Sequence, residues 1–256
     1  MSFISEQKLL NHILFLKKKY SLIGIKAEFE AEGSSHNDIF LLRSITNKTN
    51  TKLYVKIGGV EAINDIKFLT NINVDGIIAQ MVESRFAASK FLSFINKNII
   101  NKKLNLTINI ESKNAIENIY EIYSTIKNQI NDITIGRTDL AASYFNKNIF
   151  PNSNFITKKI IEISKIFKKD KIRVAVGGSI DKTTIKLYSQ NSLIKKSVDK
   201  IETRKVILPT KKFLNTKKAL DAALKFEELY ILMKNEMNEF NNKSDLSRLS
   251  ILRTRK

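Results

Sequence analysis

Short β-branched runs alternate along the chain with longer stretches whose apolar residues fall three and four apart. Leu22–Phe29, Lys52–Ile57, Gly76–Met81, Leu104–Ile110, Asp132–Ile135, Ile172–Val176 and Thr203–Leu208 read as strands. Asn37–Thr46, Val60–Asn71, Arg85–Asn96, Lys113–Asn128, Phe155–Lys168 and Lys182–Gln190 read as the amphipathic helices between them. The polar residues just past the strands, Glu30, Lys56, Glu83, Glu111 and Asp139, recur at about one strand-helix unit, roughly 26 to 28 residues; the step on to Gly177 is longer and the one to Arg204 again about a unit. This period predicts an α/β fold, a (β/α)8-type TIM barrel in which every strand C-terminus opens on one face, so that these side chains converge there. Seven strands are legible. The eighth is not placed, and the segment near Pro209 is its candidate.

Two helices flank the repeat. Leu9, Ile13, Leu16 and Tyr20 form a stripe on the first, suited to plugging the lower end of the barrel. Ala222, Phe226, Leu229, Met233, Met237 and Phe240 step by four and three along the last, a narrow seam that needs a partner, either its own barrel or a neighbouring subunit. The barrel with its N-terminal helix is therefore expected over residues 1–212, and a docking or oligomerising helix with a solvated basic tail from Arg248 over 213–256.

Composition narrows the chemistry. The absence of cysteine excludes disulfides, thiolate zinc sites, iron–sulfur clusters and cysteine nucleophiles, so a metal would sit on oxygen or histidine. No apolar run is long enough for a membrane span, and a cytoplasmic protein with no membrane partner is expected. The net charge of +19 raises nucleic acid as a partner. The lysines, however, are spread over predicted helix faces and form no stripe, which argues against that role and leaves a field that attracts anionic substrates.

Glu111 and Asp139 lie one strand-helix unit apart and can place two carboxylates side by side, which suits Mg²⁺ or Mn²⁺. Asp139 serves equally well as a helix cap. Lys56 supplies a cation at a neighbouring strand end. Gly58 and Gly59 would let the backbone approach a carboxylate or phosphate. Glu28, Glu30 and Glu32 alternate, so they can share a face pointing into the barrel mouth, with Glu30 a substrate contact.

Asp75–Ser84 (DGIIAQMVES), Asn109–Ser112 (NIES) and Ile135–Ser143 (IGRTDLAAS) resemble, in order and spacing, the Pro-Met-Val, Gln-Ile-Glu-Thr and Gly-Pro-x-Asp-Leu segments of the HpcH/HpaI aldolase and citrate lyase family. The resemblance runs from Ile23 to Ser143 and, more loosely, from Val174 to Pro209. It implies a modified TIM barrel that binds Mg²⁺ or Mn²⁺ through Glu111 and Asp139 and makes or breaks carbon–carbon bonds through an enolate. It also implies a homo-oligomer that exchanges a C-terminal helix. Asn109 and Arg137, within the motifs, become substrate-binding candidates. The sequence departs from the family at Lys56, where arginine is common, and at Gln80 and Arg137, where proline stands. The family's Gly-Glu-His segment has no counterpart, leaving His36, two positions late, as the candidate general base. The expected activity is a metal-dependent aldolase acting on a 2-keto acid or sugar acid. A citrate-lyase-like enzyme of acyl-CoA thioesters and a non-catalytic assembly barrel are the alternatives.

Overall fold

The computed structural model describes residues 3–99, 104–237 and 243–254. Eight strands close into a barrel in sequence order: β1 (Gly24–Glu28), β2 (Leu53–Ile57), β3 (Gly76–Ala79), β4 (Asn105–Ile110), β5 (Asp132–Gly136), β6 (Arg173–Gly177), β7 (Lys200–Glu202) and β8 (Val206–Pro209). From β1 to β7 neighbours pair in parallel. β8 runs the other way and pairs antiparallel with both β7 and β1. The strand expected over Thr203–Leu208 is thus a turn followed by β8, which ends at Pro209. The strand missing from the sequence reading is β7, Lys-Ile-Glu, whose single apolar residue gives no run to detect.

The strands alternate strictly. Ile25, Ala27, Val55, Ile57, Ile108, Ile133, Ile135, Val174, Val176 and Ile201 are buried in one core with the surrounding helices, each isoleucine or valine contributing roughly 1.5–3 kcal/mol of burial. The intervening positions, among them Lys26, Glu28, Lys56, Asn109, Glu111, Thr134 and Glu202, line the cavity inside the barrel. Ion pairs make this polar lumen tolerable: Lys26 to Glu202 at 3.0 Å, Lys56 to Glu28 at 2.6 Å and, lower down, Lys200 to Asp132 at 2.6 Å. An unpaired charge there would cost several kcal/mol.

Tyr54, not the first helix, fills the lower end of the barrel. Its ring lies against Gly24 and Gly76, where a β-carbon would collide with it, and Ile78 and Ile207 pack beside it. The first helix, α1 (Phe3–Tyr20), lies outside, against α2 (His36–Lys48) and against the long C-terminal helix α12 (Lys217–Met237). Between β2 and β7 come α3 (Ile63–Asn71), α4 (Arg85–Asn98), α5 (Lys113–Glu117), α6 (Ile119–Ile126), α7 (Arg137–Ala142), α8 (Asn154–Phe167), α9 (Lys182–Gln190) and α10 (Ser192–Ser197). The helix expected over Lys113–Asn128 is broken at Asn118, which leaves helical geometry to donate its side-chain amide to the Glu83 carbonyl at 2.9 Å.

After β8 the short α11 (Thr210–Leu214), inside which the expected junction at 212 and 213 falls, leads to α12 (Lys217–Met237) and α13 (Lys243–Thr254). Ala222, Phe226 and Met233 of the seam are buried, so this helix docks on its own barrel. Phe240 and the Met237 side chain lie outside what is described. Because β8 descends, α12 ascends, and its later residues reach the barrel mouth, where Tyr230 donates to the Asp38 carbonyl at 3.4 Å. Among the described residues no helix is long and apolar enough to cross a membrane.

α1 and α12 are joined by His12 Nε2, which lies 2.7 Å from the Ala222 carbonyl, an acceptor only, so this nitrogen carries the proton. Burial holds the His12 ring below its ordinary value of 6.5; the Ala222 carbonyl opposes that shift and Lys225 adds to it. The neutral ring therefore belongs to the folded state. Its contribution is complete above 6.5 and is lost as pH falls below that value. In paired denaturation curves from about pH 7.5 to about pH 5.5, wild type should lose stability relative to His12→Gln, which keeps a donor but does not titrate. A difference that stays flat with pH would remove His12 from the pH response.

Candidate active site

A cavity of about 260 Å³ opens at the strand C-termini. β1 contributes Lys26 and Glu28, β2 Lys56, β4 Asn109 and, just past its end, Glu111; β5 contributes Thr134 and Gly136, followed by Thr138 and Asp139. Gly177–Ile180, Glu202–Arg204 and Arg248 close the ring.

Glu111 is 3% exposed. Oε1 accepts from the Met81 amide at 3.1 Å and Oε2 from the Asn109 side chain at 3.0 Å. Two features of the backbone make room for it. Met81 turns its N–H inward in the left-handed region, at φ 50°, an uncommon conformation for a side chain of that size. Gly136 has no β-carbon where the carboxylate sits; one there would overlap Oε2. Burial pushes the Glu111 carboxyl above its ordinary range, and the charge of Asp139 adds to this. Lys56, the Met81 amide and Asn109 pull it down without cancelling the rise. For Glu28 the balance is reversed: burial would raise its carboxyl, but Lys26 and Lys56 outweigh that and hold it below the usual range.

Lys56, Asn109, Glu111 and Asp139 thus meet as the motifs led one to expect, and five other candidates do not. Arg137 points away from the cavity. It is 0% exposed and donates to the carbonyls of Gly177, Gly178 and Pro151, to Asn152 and Thr184 side chains and to the Tyr188 hydroxyl, at 2.6 to 3.4 Å. With its donors taken up by the loops after β5 and β6, it is a clamp and not a substrate contact. His36 is exposed at the start of α2 and stacks on Phe68 at 4.1 Å, outside the cavity lining. Gly58 and Gly59 also lie outside that lining; the Gly58 carbonyl accepts from Gln80 at 2.9 Å, so the Gln80 departure braces a loop. Glu30 is exposed beside Gly58, because β1 ends at Glu28 and the alternation that would have carried Glu30 inward ends with it. Glu32 turns aside to pair with Lys205.

Lys26, Thr134, Thr138 and Arg248 were not anticipated. The first three follow from the inward alternation of β1 and β5 and the turn after β5. Arg248, expected in a solvated tail, sits on α13, holds Glu227 through two bonds of 2.6 and 3.0 Å, and lines the cavity. Sequence spacing carries no sign of that return.

Glu111 and Asp139 are the two lining carboxylates without an ion-pair partner among the described residues. Hard oxygen ligands of this kind, with further positions left to water or substrate, fit Mg²⁺ or Mn²⁺. The rise of the Glu111 carboxyl comes first from burial, with the like charge of Asp139 adding to it, and a cation would offset both. No third carboxylate or histidine joins them among the described residues.

The barrel, with its carboxylates at the strand C-termini, defines a TIM-barrel protein with an enzyme-type site. Residues 41–176, more than half of the chain, match the HpcH/HpaI aldolase/citrate lyase family, and the protein belongs to that family, which supports a lyase-type activity. Its fold is similar to that of RipC from Yersinia pestis (12% identity, TM-score 0.54, 86% of this chain and 90% of that one). It is also similar to an HpcH/HpaI aldolase/citrate lyase family protein from Burkholderia cenocepacia J2315 (11%, 0.61, 79% and 84%) and to citrate synthase SbnG (14%, 0.56, 72% and 78%). At such identities the likeness is one of fold. No curated protein sequence matches the chain.

Replacing Arg137 by alanine should destabilise the protein by more than about 3 kcal/mol, since several buried acceptors lose a charged donor at once. Arg137→Lys, without the planar fork, should recover only part of this. Urea denaturation measures both, and an alanine variant of wild-type stability would show that the clamp holds nothing.

Proposed function

We propose that the cavity is the active site of a divalent-metal-dependent carbon–carbon lyase of aldolase type acting on a 2-keto acid. The observation that carries this reading is the Glu111 and Asp139 pair: two carboxylates at the mouth of the barrel without ion-pair partners among the described residues, with Lys56 close enough to act on Glu111. Mg²⁺ or Mn²⁺ held by them would chelate the keto acid and withdraw charge from its keto oxygen. The small, strongly charged cavity favours such an acid over an acyl-CoA thioester, since pockets that enclose drug-sized ligands are roughly 300–1,000 Å³.

The protein's own groups supply the rest. Lys56, fixed by Glu28 at 2.6 Å, is a preorganised positive charge for the enolate oxygen. A lysine gives this charge without arginine's bidentate fork, so orientation falls more heavily on Asn109, Thr134 and Thr138. The proton carrier must be a lining group, and Glu28 is assigned the role by its place in the cavity, which the exposed His36 lacks; Lys26 and Lys56 keep it ionised and lower its basicity. In cleavage, Glu28 takes the proton of the C4 hydroxyl as the C3–C4 bond breaks. C4 leaves as the carbonyl of an aldehyde, the bond's electrons pass into the keto group, and C3 of the resulting enolate takes back the proton held by Glu28 to give pyruvate.

Enolate formation is testable without the natural substrate. Incubated with pyruvate and Mg²⁺ or Mn²⁺ in D₂O, the protein should exchange the pyruvate methyl protons, followed by NMR. Chelator should stop the exchange, Asp139→Asn should do the same, and Glu28→Gln should slow it by about 100-fold or more. Calorimetry should find Mn²⁺ affinity lost in Glu111→Gln/Asp139→Asn. It should also weaken in wild type as pH falls, because the raised Glu111 carboxyl takes up its proton earlier than an ordinary one. No exchange with any metal, or unchanged affinity in the double variant, would refute the reading.

A further inference from the structure

The charges around the barrel mouth pair off almost completely. Lys26 takes Glu202, Lys56 takes Glu28, Lys205 takes Glu32 and Arg248 takes Glu227. The function proposed above accounts for Glu111 and Asp139. One further charge of the cavity lining, Arg204, has no ion pair and no hydrogen bond among the described residues, although its field reaches Glu28 and Glu32 and favours their ionised forms.

Arg204 sits at the tip of the hairpin that joins β7 to β8, a turn fixed by the Thr203 amide donating to the Val206 carbonyl at 3.0 Å and the Val206 amide to Thr203 Oγ1 at 3.1 Å. Its side chain is half-buried. A second, smaller cavity of about 60 Å³ lies next to the first, walled by Glu32, Lys205, Tyr230 and Arg248, and Arg204 lines both. Glu111 leaves β4 and Arg204 leaves β7, so the carboxylate pair and the Arg204 guanidinium stand on different arcs of the ring and line one cavity. A guanidinium offers N–H donors in a planar fork, and a carboxylate or phosphate is the group that accepts two of them at once.

We propose that Arg204 receives a second anionic group of the substrate, so that the substrate is a 2-keto acid whose far end carries a carboxylate or a phosphate. This rests on the keto-acid end lying at Glu111 and Asp139. Arg248 forms the adjoining wall; tied to Glu227, it keeps its charge in place while Arg204 engages the ligand.

The test compares three ligands of similar length by calorimetry on the Mn²⁺-loaded protein: 2-oxohexanoate with a neutral tail, 2-oxoadipate with a carboxylate and 5-phosphono-2-oxopentanoate with a phosphonate. Wild type should bind at least one anionic-tailed acid about tenfold or more tightly than 2-oxohexanoate, the worth of a charge-assisted contact, and the stronger of the two identifies the tail. Arg204→Gln should abolish the preference and Arg204→Lys should retain part of it, with circular dichroism verifying the fold of each. No preference in wild type, the same preference in Arg204→Gln, or no binding of any of the three would overturn the subsite. Pyruvate exchange in wild type reports separately on the lyase chemistry: an Arg204-dependent preference without exchange would sink that chemistry and leave the anion subsite standing.

Discussion

Pairing of charge inside the barrel is the constraint on which the rest of the molecule depends. Closing eight strands into a ring encloses every second side chain, and here many of those side chains are ionised. Lys26 with Glu202, Lys56 with Glu28 and Lys200 with Asp132 settle this by bridging strands, so the lumen is held by cross-strand pairs more than by layers of branched apolar residues. Tyr54 and its neighbours Ile78 and Ile207 supply the small apolar floor. A lumen built this way stays polar at its mouth without a further device, because the pairs that close the barrel also line the cavity.

The reversal of β8 is the second determinant. In a barrel of eight parallel strands the last helix would descend to the base. Here β7 turns straight back, β8 descends, and α12 climbs to the mouth along α1, where α13 folds over it. One change of direction therefore puts two groups at the site that a parallel strand would have kept away, the Glu227–Tyr230 stretch of α12 and Arg248, and it holds Arg204, already at the mouth as the residue past β7, in a tight hairpin.

These two features also explain what could be read from the sequence. The strand-helix period gave the barrel, and the three motifs gave Glu111, Asp139, Asn109 and the neighbouring Lys56, because parallel strands turn a one-dimensional interval into a shared face. Glu30 and His36 fall outside the cavity because β1 stops at Glu28 and past it the chain turns without alternating; β2 ends at Ile57 as expected, and Gly58 and Gly59 belong to the loop beyond it, where Gln80 donates to the Gly58 carbonyl. Arg137 was misread because position in a motif does not give side-chain direction; the carbonyls of two loops decided that. β7 escaped because a strand with two charged side chains in three residues has no apolar signature. Arg248 depends on a helix packing back across the mouth, which no local pattern encodes.

The overall charge of +19 does not reside in the cavity. Its lining carries four cations, Lys26, Lys56, Arg204 and Arg248, against four carboxylates, Glu28, Glu111, Asp139 and Glu202. Attraction of anions to the whole surface therefore raises encounter without selecting among ligands, and selection falls to the groups left unpaired within a balanced site. On the proposed reading a divalent cation adds two positive charges beside Glu111 and Asp139. A substrate with one carboxylate returns one negative charge and leaves Arg204 unmatched. A second anionic group at the far end gives Arg204 a partner; because Arg248 is already neutralised by Glu227 outside the lining, that preference rests on the local contact at the hairpin and not on the net charge of the cavity.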